Sequence, residues 1–312
     1  MELRHLRYFV TVASAGGFSG AATRLGVTQP ALSRQVHDLE RELGVALFER
    51  RGRRVRLTSE GEDLVARSRD ILRSVERLGE QAQALRGGQA GRLRVGASPQ
   101  VIQNTLAPFL ARYLRSRPGI EVHLLEEGAL RLPGLLERGD VDLALGILRS
   151  GDQLVGQPLH PVRMLALVAS THRLGRRATV DVSDLAGESV LLLRPGFWTR
   201  EVFDGACRVA HVRPRIVLEA GEARSLVALA DAGRGIAVIP STALVRTRRL
   251  HAAPIVQGGT PLGTWLSVIW DPGRLLPVYA RSFIDDLARH TRRGYPGREF
   301  ERREPRLPRP EL

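Results

Sequence analysis

The 312-residue sequence has no lysine, a single cysteine and no long apolar segment. The one cysteine, Cys207, excludes a disulfide within the chain and a zinc site built on cysteines. There is no run of 18 apolar residues that would predict a transmembrane helix, and the first residues, Met1-Glu-Leu-Arg-His5, lack the apolar core of a signal peptide. We therefore expect a protein without a membrane segment that stays in the cytoplasm.

All 47 basic residues are arginine, and the formal net charge is +14. Such an excess favours a polyanionic partner. However, the arginines are spread along the chain, and GC-rich coding also favours arginine over lysine. The charge alone therefore does not assign a function, and the assignment must come from motifs.

A helix is predicted from about Thr28 onward, in the segment Thr28-Gln-Pro-Ala-Leu-Ser-Arg-Gln-Val36. At the N-cap, Thr28 can offer its hydroxyl to a free backbone N–H, and Pro30 falls in the first turn, where its missing N–H costs nothing. Apolar residues then recur at spacings of four, three and four, which predicts one buried stripe of Leu32, Val36, Leu39 and Leu43.

The opposite face of this helix carries polar side chains suited to DNA, namely Gln29, Ser33, Arg34 and His37. Just upstream, a shorter amphipathic segment begins at Phe18 and ends at Gly26. Two helices joined by such a tight turn form the helix-turn-helix layout, in which the second helix reads base edges in the major groove. The alternative is an ordinary helical hairpin whose polar face is only solvated.

A strongly basic segment follows, Phe48-Glu-Arg-Arg-Gly-Arg-Arg-Val-Arg-Leu57. Arginines surround Gly52 while Val55 and Leu57 alternate behind them, which predicts a hairpin with a basic tip. These arginines are Arg50, Arg51, Arg53, Arg54 and Arg56. Guanidinium groups suit phosphate oxygens and narrow minor grooves, so a basic wing beside the helix would extend the DNA-binding surface. A solvated loop is the alternative.

Ordered sequence matches to a known family run through the first 60 or so residues. They are Leu6-Arg-Tyr-Phe9, Gly17-Phe18, Ala21-Ala22, Gln29-Pro-Ala-Leu-Ser-Arg-Gln-Val36, Leu39-Glu40, Leu43-Gly44, Leu47-Phe48-Glu-Arg50 and Leu57-Thr-Ser-Glu-Gly61. These segments closely resemble the N-terminal winged helix-turn-helix of LysR-type transcriptional regulators. The DNA-binding residues expected on this basis are Thr28, Gln29, Pro30, Ser33, Arg34 and His37 in the helix and Arg50, Arg53 and Arg54 in the wing.

A long helix is predicted from Ser59 to about Arg86, with Ser59-x-x-Glu62 as a capping box. Its apolar residues recur about every 3.5 residues, as in a coiled-coil seam. They are Leu64, Ile71, Val75, Leu78, Ala82 and Leu85. We expect this seam to pack against a partner helix, and packing onto its own chain is the alternative. The segment Gly87-Gly-Gln-Ala-Gly91 then predicts a hinge.

From Arg92 the sequence alternates between predicted strands and helices, which implies parallel sheets covered by helices. The predicted strands are 92–97, 120–125, 141–146, 164–168, 190–193, 215–218, 236–239 and 265–269, and the predicted helices are 99–116, 130–139, 197–210, 222–232 and one through Arg289. The fold class is therefore α/β. The elements divide into two lobes joined by crossing strands, about 92–161 with 267–292 and about 162–266.

Less specific sequence matches extend the family resemblance to this half of the chain. They are Leu93-Arg-Val-Gly96, Gly139-Asp-Val-Asp-Leu-Ala-Leu-Gly146, Asp184-Leu-Ala-Gly187 and Gly233-Arg-Gly-Ile-Ala-Val-Ile-Pro240. They resemble the two-lobed, periplasmic-binding-protein-like effector domain of LysR-type regulators, so the resemblance spans about residues 1–292. The expected domains are a winged helix-turn-helix (1–58), a dimerisation helix with a hinge (59–91), an effector-binding domain (92–292) and a disordered tail rich in proline and charge (293–312).

The family places a small-molecule effector in the cleft between the lobes. The matching positions are Ser98, Pro99, Gln100, Ile147, Arg194, Gly196, Phe197 and Glu222. Where the first strand passes into its helix, free N–H groups and the Ser98 hydroxyl suit a carboxylate, and Arg194 and Arg149 suggest an acidic effector. A simple helix cap is the alternative role for Ser98.

Enzyme motifs are weak. The segment Gly96-Ala-Ser-Pro-Gln100 follows a predicted strand as a nucleophile elbow does, but Gln100 replaces the final glycine. Cys207 and His211 lie one helical turn apart with no neighbouring acid to orient them. The eight histidines show no metal-ligand spacing, and there is no P-loop or dinucleotide motif.

We therefore predict a ligand-responsive bacterial transcription factor without catalytic residues, metal or cofactor. The resemblance implies double-stranded promoter DNA, a small-molecule effector and RNA polymerase as partners, in a homodimer or homotetramer. Two other classes remain open: a small-molecule binding protein with a vestigial DNA-binding end, and a hydrolase that uses Ser98.

Overall fold

The computed structural model describes residues 1–51, 54–87, 91–149, 151–243, 248–274, 276–301 and 307–308. The chain divides into two compact units, Met1–Gly87 and Gly88–Leu312. Within the described residues, no helix is long and apolar enough to cross a membrane.

The first unit contains a bundle of helices and a hairpin. In chain order its elements are α1 (Leu3–Ala15), α2 (Phe18–Leu25), α3 (Gln29–Leu43), β1 (Phe48–Arg51), β2 (Arg54–Leu57) and α4 (Ser59–Gly87). The predicted stripe of α3 is buried at Leu32, Val36 and Leu39, whereas Leu43 is exposed. At the end of α2, Gly26 adopts a φ of 66° that favours glycine, and this turn directs the chain into α3.

Helix α3 begins as predicted, with Thr28 at the N-cap and Pro30 in the first turn. The predicted capping bond is wrong, because the Thr28 side chain makes no cap hydrogen bond. The residue contributes through its carbonyl oxygen instead, which accepts the backbone N–H of Leu32 at 3.0 Å. The helix start is therefore set by backbone conformation and by the proline.

The capping box predicted for α4 is also wrong by one residue. The hydroxyl of Thr58 accepts the backbone N–H of Gly61 at 2.9 Å and donates to the carbonyl oxygen of Ala46 at 2.7 Å. The Ser59 hydroxyl donates only to the neighbouring Glu60. Thr58 therefore caps the helix and joins its start to the segment before the hairpin.

The predicted wing is present as an antiparallel hairpin, with Phe48 opposite Leu57 and Arg51 opposite Arg54. The turn residues Gly52 and Arg53 lie outside the described residues. Glu40 ties this hairpin to α3, because its Oε1 accepts the backbone N–H groups of Leu47 at 2.8 Å and Phe48 at 3.2 Å.

The second unit is α/β. Its first elements are β3 (Gly91–Ala97), α5 (Pro99–Val101), a π-helical segment (Ile102–Leu106), α6 (Ala107–Ser116), β4 (Ile120–Glu126), α7 (Leu132–Arg138), β5 (Leu143–Gly146), β6 (Val155–Ala169) and β7 (Val180–Asp181). Then follow a 3₁₀ turn (Val182–Leu185), β8 (Ser189–Leu193), α8 (Trp198–Val209), β9 (Arg215–Ala220), α9 (Ala223–Asp231), β10 (Ile236–Pro240), a 3₁₀ turn (Ser241–Ala243), β11 (Leu250–Gln257), β12 (Thr260–Pro261), β13 (Gly263–Trp270), α10 (Val278–Arg293) and a 3₁₀ turn (Arg298–Phe300). All the predicted strands are present, whereas β7, β11 and β12 were not predicted.

Two lobes share one long strand, β6. Its residues 155–163 pair with β13, and its residues 164–169 pair with β10 and β11. The first lobe thus has the order β4-β3-β5-β13-β6 and the second β6-β10-β8-β9. The parallel pairs β3/β4, β3/β5, β8/β9 and β8/β10 carry the strand ends that form the cleft. The lobes therefore meet where the chain passes from Arg163 to Met164.

The prediction of disorder after Arg292 is wrong for residues 293–301. Helix α10 continues to Arg293, and a 3₁₀ turn follows at Arg298–Phe300. Phe300 is only 3% exposed and belongs to an apolar cluster of the second lobe. Proline and charge dominate this segment's composition, but the buried Phe300 anchors it to the second lobe.

Candidate DNA interface and effector cleft

The six predicted DNA-binding residues at the start of α3 are all exposed and lie around its outer face. They are Thr28, Gln29, Pro30, Ser33, Arg34 and His37. The buried face of the same helix packs into the first unit through Leu32 and Val36. In the wing, Arg53 and the side chains of Arg50 and Arg54 lie outside the described residues. The structure thus groups the helix residues and leaves the wing arginines as a prediction.

Gln29 is held by a residue that the sequence analysis missed. The hydroxyl of Ser19, on α2, donates to Gln29 Oε1 at 2.9 Å. With its oxygen engaged, the Gln29 amide presents its NH₂ group as a donor. Acceptors such as guanine O6 and N7 or thymine O4 line the major groove. The sequence signal that could have indicated this contact is Ser19 itself, a polar residue on the exposed side of α2.

The second unit has a cleft between its lobes that encloses, together with open solvent at its mouth, about 490 Å³ of space. Four predicted effector residues line it: Ser98, Gln100 and Ile147 from the first lobe and Phe197 from the second. Two strand ends and two helix starts meet here, because β3 leads into α5 and β8 leads towards α8. Such strand-end crevices are where open α/β sheets bind ligands.

The other predicted effector residues do not line this cleft. The guanidinium carbon of Arg194 lies 5.9 Å from the centre of the Phe197 ring, and the side chain packs over Gly221. Glu222 is exposed and serves as the N-cap residue of α9. Pro99 is the first residue of α5, and Gly196 is an exposed turn residue with a φ of 95°. In the part of the chain that the structure describes, the cleft lining therefore contains no guanidinium of the kind that the sequence suggested.

Several lining residues were missed. They include Trp198 and Thr199 at the start of α8, Thr242 after β10, and Thr264 and Leu266 on β13. Thr242 follows the carboxyl end of a parallel strand, which is a signal that could have identified it. Thr264 and Leu266 lie on a strand returning from the second lobe, and no local pattern in the sequence marks that geometry.

The cleft offers hydroxyl groups and apolar surface. Ser98 and Thr199 line it from opposite lobes, and each residue is 4% exposed. Ser98 occupies the N-cap position of α5 without making a side-chain cap bond. Of the cleft's lining residues in the described chain, none carries a charge.

Two contacts join the lobes at the cleft. Asn104 Nδ2, in the π-helical segment, donates to the carbonyl oxygen of Thr242 at 2.8 Å. Arg149, at the end of the first lobe, pairs with Glu201 of α8 at 3.0 Å. A change in the lobe arrangement must therefore alter contacts that border the cavity.

The geometry gives no support to nucleophilic catalysis by Ser98 or Cys207. Among the lining residues that the structure describes, Ser98 has no histidine or carboxylate to act as its base. Burial raises the pKa of the Cys207 thiol to about 11, which disfavours the reactive thiolate. No cluster of metal-ligating side chains occurs among the described residues.

Comparison with known families decides the identity. The family model of the LysR substrate binding domain matches residues 86–292, and that of the bacterial regulatory helix-turn-helix protein, lysR family, matches residues 3–62. The chain belongs to the LysR family. It is a DNA-binding transcriptional regulator with an effector-binding domain, and its relatives are regulators, not enzymes. The predicted fold class is confirmed.

Similar proteins cover nearly the whole of this LysR-family regulator. The HTH-type regulator YnfL of Escherichia coli K12 is 31% identical over 91% of this chain and 96% of its own. A hydrogen peroxide-inducible genes activator of Pectobacterium carotovorum is 33% identical over 93% of this chain and 97% of its own. The crystal structure of full-length CbnR with its target DNA covers 93% of this chain and 100% of its own, with 28% identity and a TM-score of 0.68.

Proposed function

We propose that this regulator binds operator DNA through the exposed face of α3 and the basic wing, and that a small molecule in the cleft changes that binding. The observation that carries the cleft's role is the pair of hydroxyl residues, Ser98 and Thr199, which line one cavity from opposite lobes. Such convergent polar groups in an otherwise apolar cleft are typical of small-molecule sites. A ligand that hydrogen-bonds to both hydroxyls would hold the lobes together.

The chemistry of the cleft limits the class of effector. Its walls combine apolar groups such as Ile147, Phe197 and Leu266 with hydroxyls and contain no cation in the described chain. Arg149 pairs with Glu201 and Arg194 packs on Phe197, so neither guanidinium lines the cavity. Burying an ionised group of the ligand without a partner of opposite charge is costly, and a second ionised group would add to that cost. We therefore expect an effector with an apolar body and at most one ionised group.

An exposed apolar stripe on α4 supports assembly into a homodimer or homotetramer. Ile71, Val75 and Leu78 are 43%, 40% and 67% exposed. Leu64, by contrast, packs against the core of its own unit, so the first residue of the predicted seam belongs to the chain itself. An exposed apolar stripe on a long helix favours a partner helix as its cover. The assembled regulator would act at promoters in the bacterial cytoplasm and contact RNA polymerase.

A hydrogen peroxide signal is the second candidate, because relatives are named for it. Peroxide sensing by cysteine needs an accessible thiolate. Here the only cysteine of the sequence is 7% exposed, and burial raises its pKa to about 11. We therefore favour a bound metabolite over thiol oxidation.

The test begins with in vitro selection of operator DNA from a random duplex library, followed by calorimetry with benzoate, benzamide and phthalate. The monoanion or the neutral amide should bind, whereas the dianion should not. Thr199→Val should weaken this binding about tenfold, the cost of one hydrogen bond. Thr171→Val is the matched control, since Thr171 is exposed and lies outside the cleft. Preferential binding of phthalate would contradict the proposed ligand class.

A further inference from the structure

The segment that follows α10 lies beyond the family model, which ends at residue 292. Its described parts, residues 294–301 and 307–308, are called the C-terminal strap below. The strap contacts β6 and β13, the strands by which the chain leaves and re-enters the first lobe and which are called the crossing strands below, and also the turn that follows β10.

The first contact is with β6. The ring of Tyr295 stacks on the imidazole of His160, with centroids 4.5 Å apart and planes 9° from parallel. His160 is 1% exposed and lies three residues before Arg163, where β6 leaves the first lobe. Burial lowers the pKa of His160 to about 4, so the stacked imidazole is neutral near pH 7. The strap therefore packs flat against the strand that joins the lobes.

The second contact is with the Ser241–Ala243 turn. Gly297 has a φ of 85°, and a Cβ at this position would lie 2.6 Å from the Cβ of Ser241. Ser241 Oγ in turn accepts the backbone N–H of Arg163 at 3.1 Å. The next residue, Thr242, lines the cleft and accepts the hydrogen bond of Asn104 from the other lobe. The strap thus lies directly behind one wall of the cleft.

The remaining contacts fix the strap at its ends. Phe300 is buried in the same apolar cluster as Ala243 and Ile239. Further along, Trp265 Nε1 donates to the carbonyl oxygen of Pro308 at 2.8 Å, and Leu307 packs over Gly263. Gly263 and Trp265 of β13 pair with β6 at Arg163 and Pro161. Strap contacts therefore converge on one short stretch of both crossing strands.

We propose that the C-terminal strap is a positioning element of the effector cleft, which holds the crossing strands and the Ser241–Ala243 turn in the arrangement that presents Thr242 to the ligand. This inference rests on the proposed function of the cleft. The rival explanation is that the strap only adds to the global stability of the domain. The two explanations differ in where the structure loosens when the strap is weakened.

The experiment is amide hydrogen exchange on the full-length protein, with Tyr295→Ala and Gly297→Ala as strap variants. The first removes the stack on His160, and the second introduces a Cβ against Ser241. We expect exchange to become at least about tenfold faster at residues 162–164, 239 and 241–243, with no change in β3 and β8. Tyr295→Phe, which keeps the ring, should behave as the wild type, and so should the control Val278→Ala at an exposed position of α10.

A uniform rise in exchange, including at β3 and β8, would overturn the proposal in favour of global stabilisation, and so would unchanged exchange in both variants. Trp265→Phe provides a milder test, because it removes the indole donor to Pro308 and keeps an aromatic ring, and it should speed exchange at the same residues to a smaller extent. The measurement needs no effector. A failure of ligand binding in calorimetry would therefore refute the role of the cleft, whereas a failure here would refute the role of the strap.

Discussion

The two binding surfaces of this regulator are built in opposite ways. The α3 face is exposed, polar and compact in sequence, since its residues fall within positions 28–37. The cleft is mostly buried, without charge in its described lining, and assembled from residues as far apart as Ser98 and Leu266. The first surface suits a large, hydrated polyanion, whereas the second suits a small molecule that leaves water. Their responses to salt, mutation and oxidation should differ accordingly.

The largest expected contrast is in salt dependence. If about six phosphates are neutralised per dimer, operator affinity should fall roughly thousandfold between about 50 and 200 mM salt, because counterions are released on binding. Binding of a neutral ligand in the uncharged cleft should change less than twofold. Fluorescence anisotropy with selected operator DNA and calorimetry with benzamide measure the two slopes. If ligand affinity fell with salt as steeply as DNA affinity, the cleft would not differ from the α3 face in its electrostatics.

A second large effect concerns the α4 stripe, which resembles the cleft in polarity but is open to solvent. Changing Ile71 and Leu78 to Asp would bury charges against apolar partners, so dimers should dissociate at protein concentrations at least about a hundredfold higher than for the wild type. Ala66→Asp is the control, because Ala66 is exposed and lies on another face of α4. Multi-angle light scattering gives the result. Unchanged oligomers would assign the stripe to packing within the chain.

A moderate effect is expected within the α3 face. Gln29→Ala should reduce discrimination between operator and random duplex about tenfold, the value of one good base contact. Ser19→Ala should give a smaller loss and relax the base preference at one operator position, because the Gln29 amide becomes free to turn. Sequencing of selected DNA measures both. Ser74→Ala, on α4, is the control, and an unaltered base preference in Ser19→Ala would refute the positioning role.

The smallest expected effect is that of peroxide. Because burial raises the pKa of Cys207 to about 11, its thiolate fraction near pH 7 should be roughly a hundredfold below that of a thiol with the ordinary value of 9. Operator affinity should change less than twofold after exposure to hydrogen peroxide, in the wild type and in Cys207→Ala alike. A peroxide response that disappears in Cys207→Ala would make thiol oxidation the signal.

The difference between the two surfaces also explains what could be predicted from sequence. The α3 face follows from the period of one helix, so Gln29, Ser33 and Arg34 could be assigned from local pattern alone. In the cleft, Ser98 and Phe197 could be placed because the family resemblance points to positions that follow strand ends. The direction of the Arg194 side chain could not, since it depends on packing against Phe197 from within the second lobe.

Errors at element ends have a similar origin. The N-cap of α4 is Thr58 and not Ser59, because the Thr58 hydroxyl also reaches the carbonyl oxygen of Ala46. The strap was predicted to be disordered from its proline and charge, but Tyr295 and Phe300 find buried partners far away in sequence. Composition describes the average preference of a segment and is insensitive to single anchors of this kind.

The π-helical segment between α5 and α6 has a consequence for how this domain tolerates changes in length. A π turn accommodates one residue more than an α turn, and it rotates everything before it relative to everything after it. Asn104 lies inside this turn and bonds to Thr242 across the cleft, whereas Phe109 and Tyr113 of α6 lie in the core. Deleting a single residue from 102–106 would rotate α5 relative to α6, so that Asn104 could no longer reach Thr242 while Phe109 and Tyr113 stay in the core. The extra residue thus allows one continuous helical segment to meet two requirements. It keeps Phe109 and Tyr113 in the core, and it also directs Asn104 towards the other lobe.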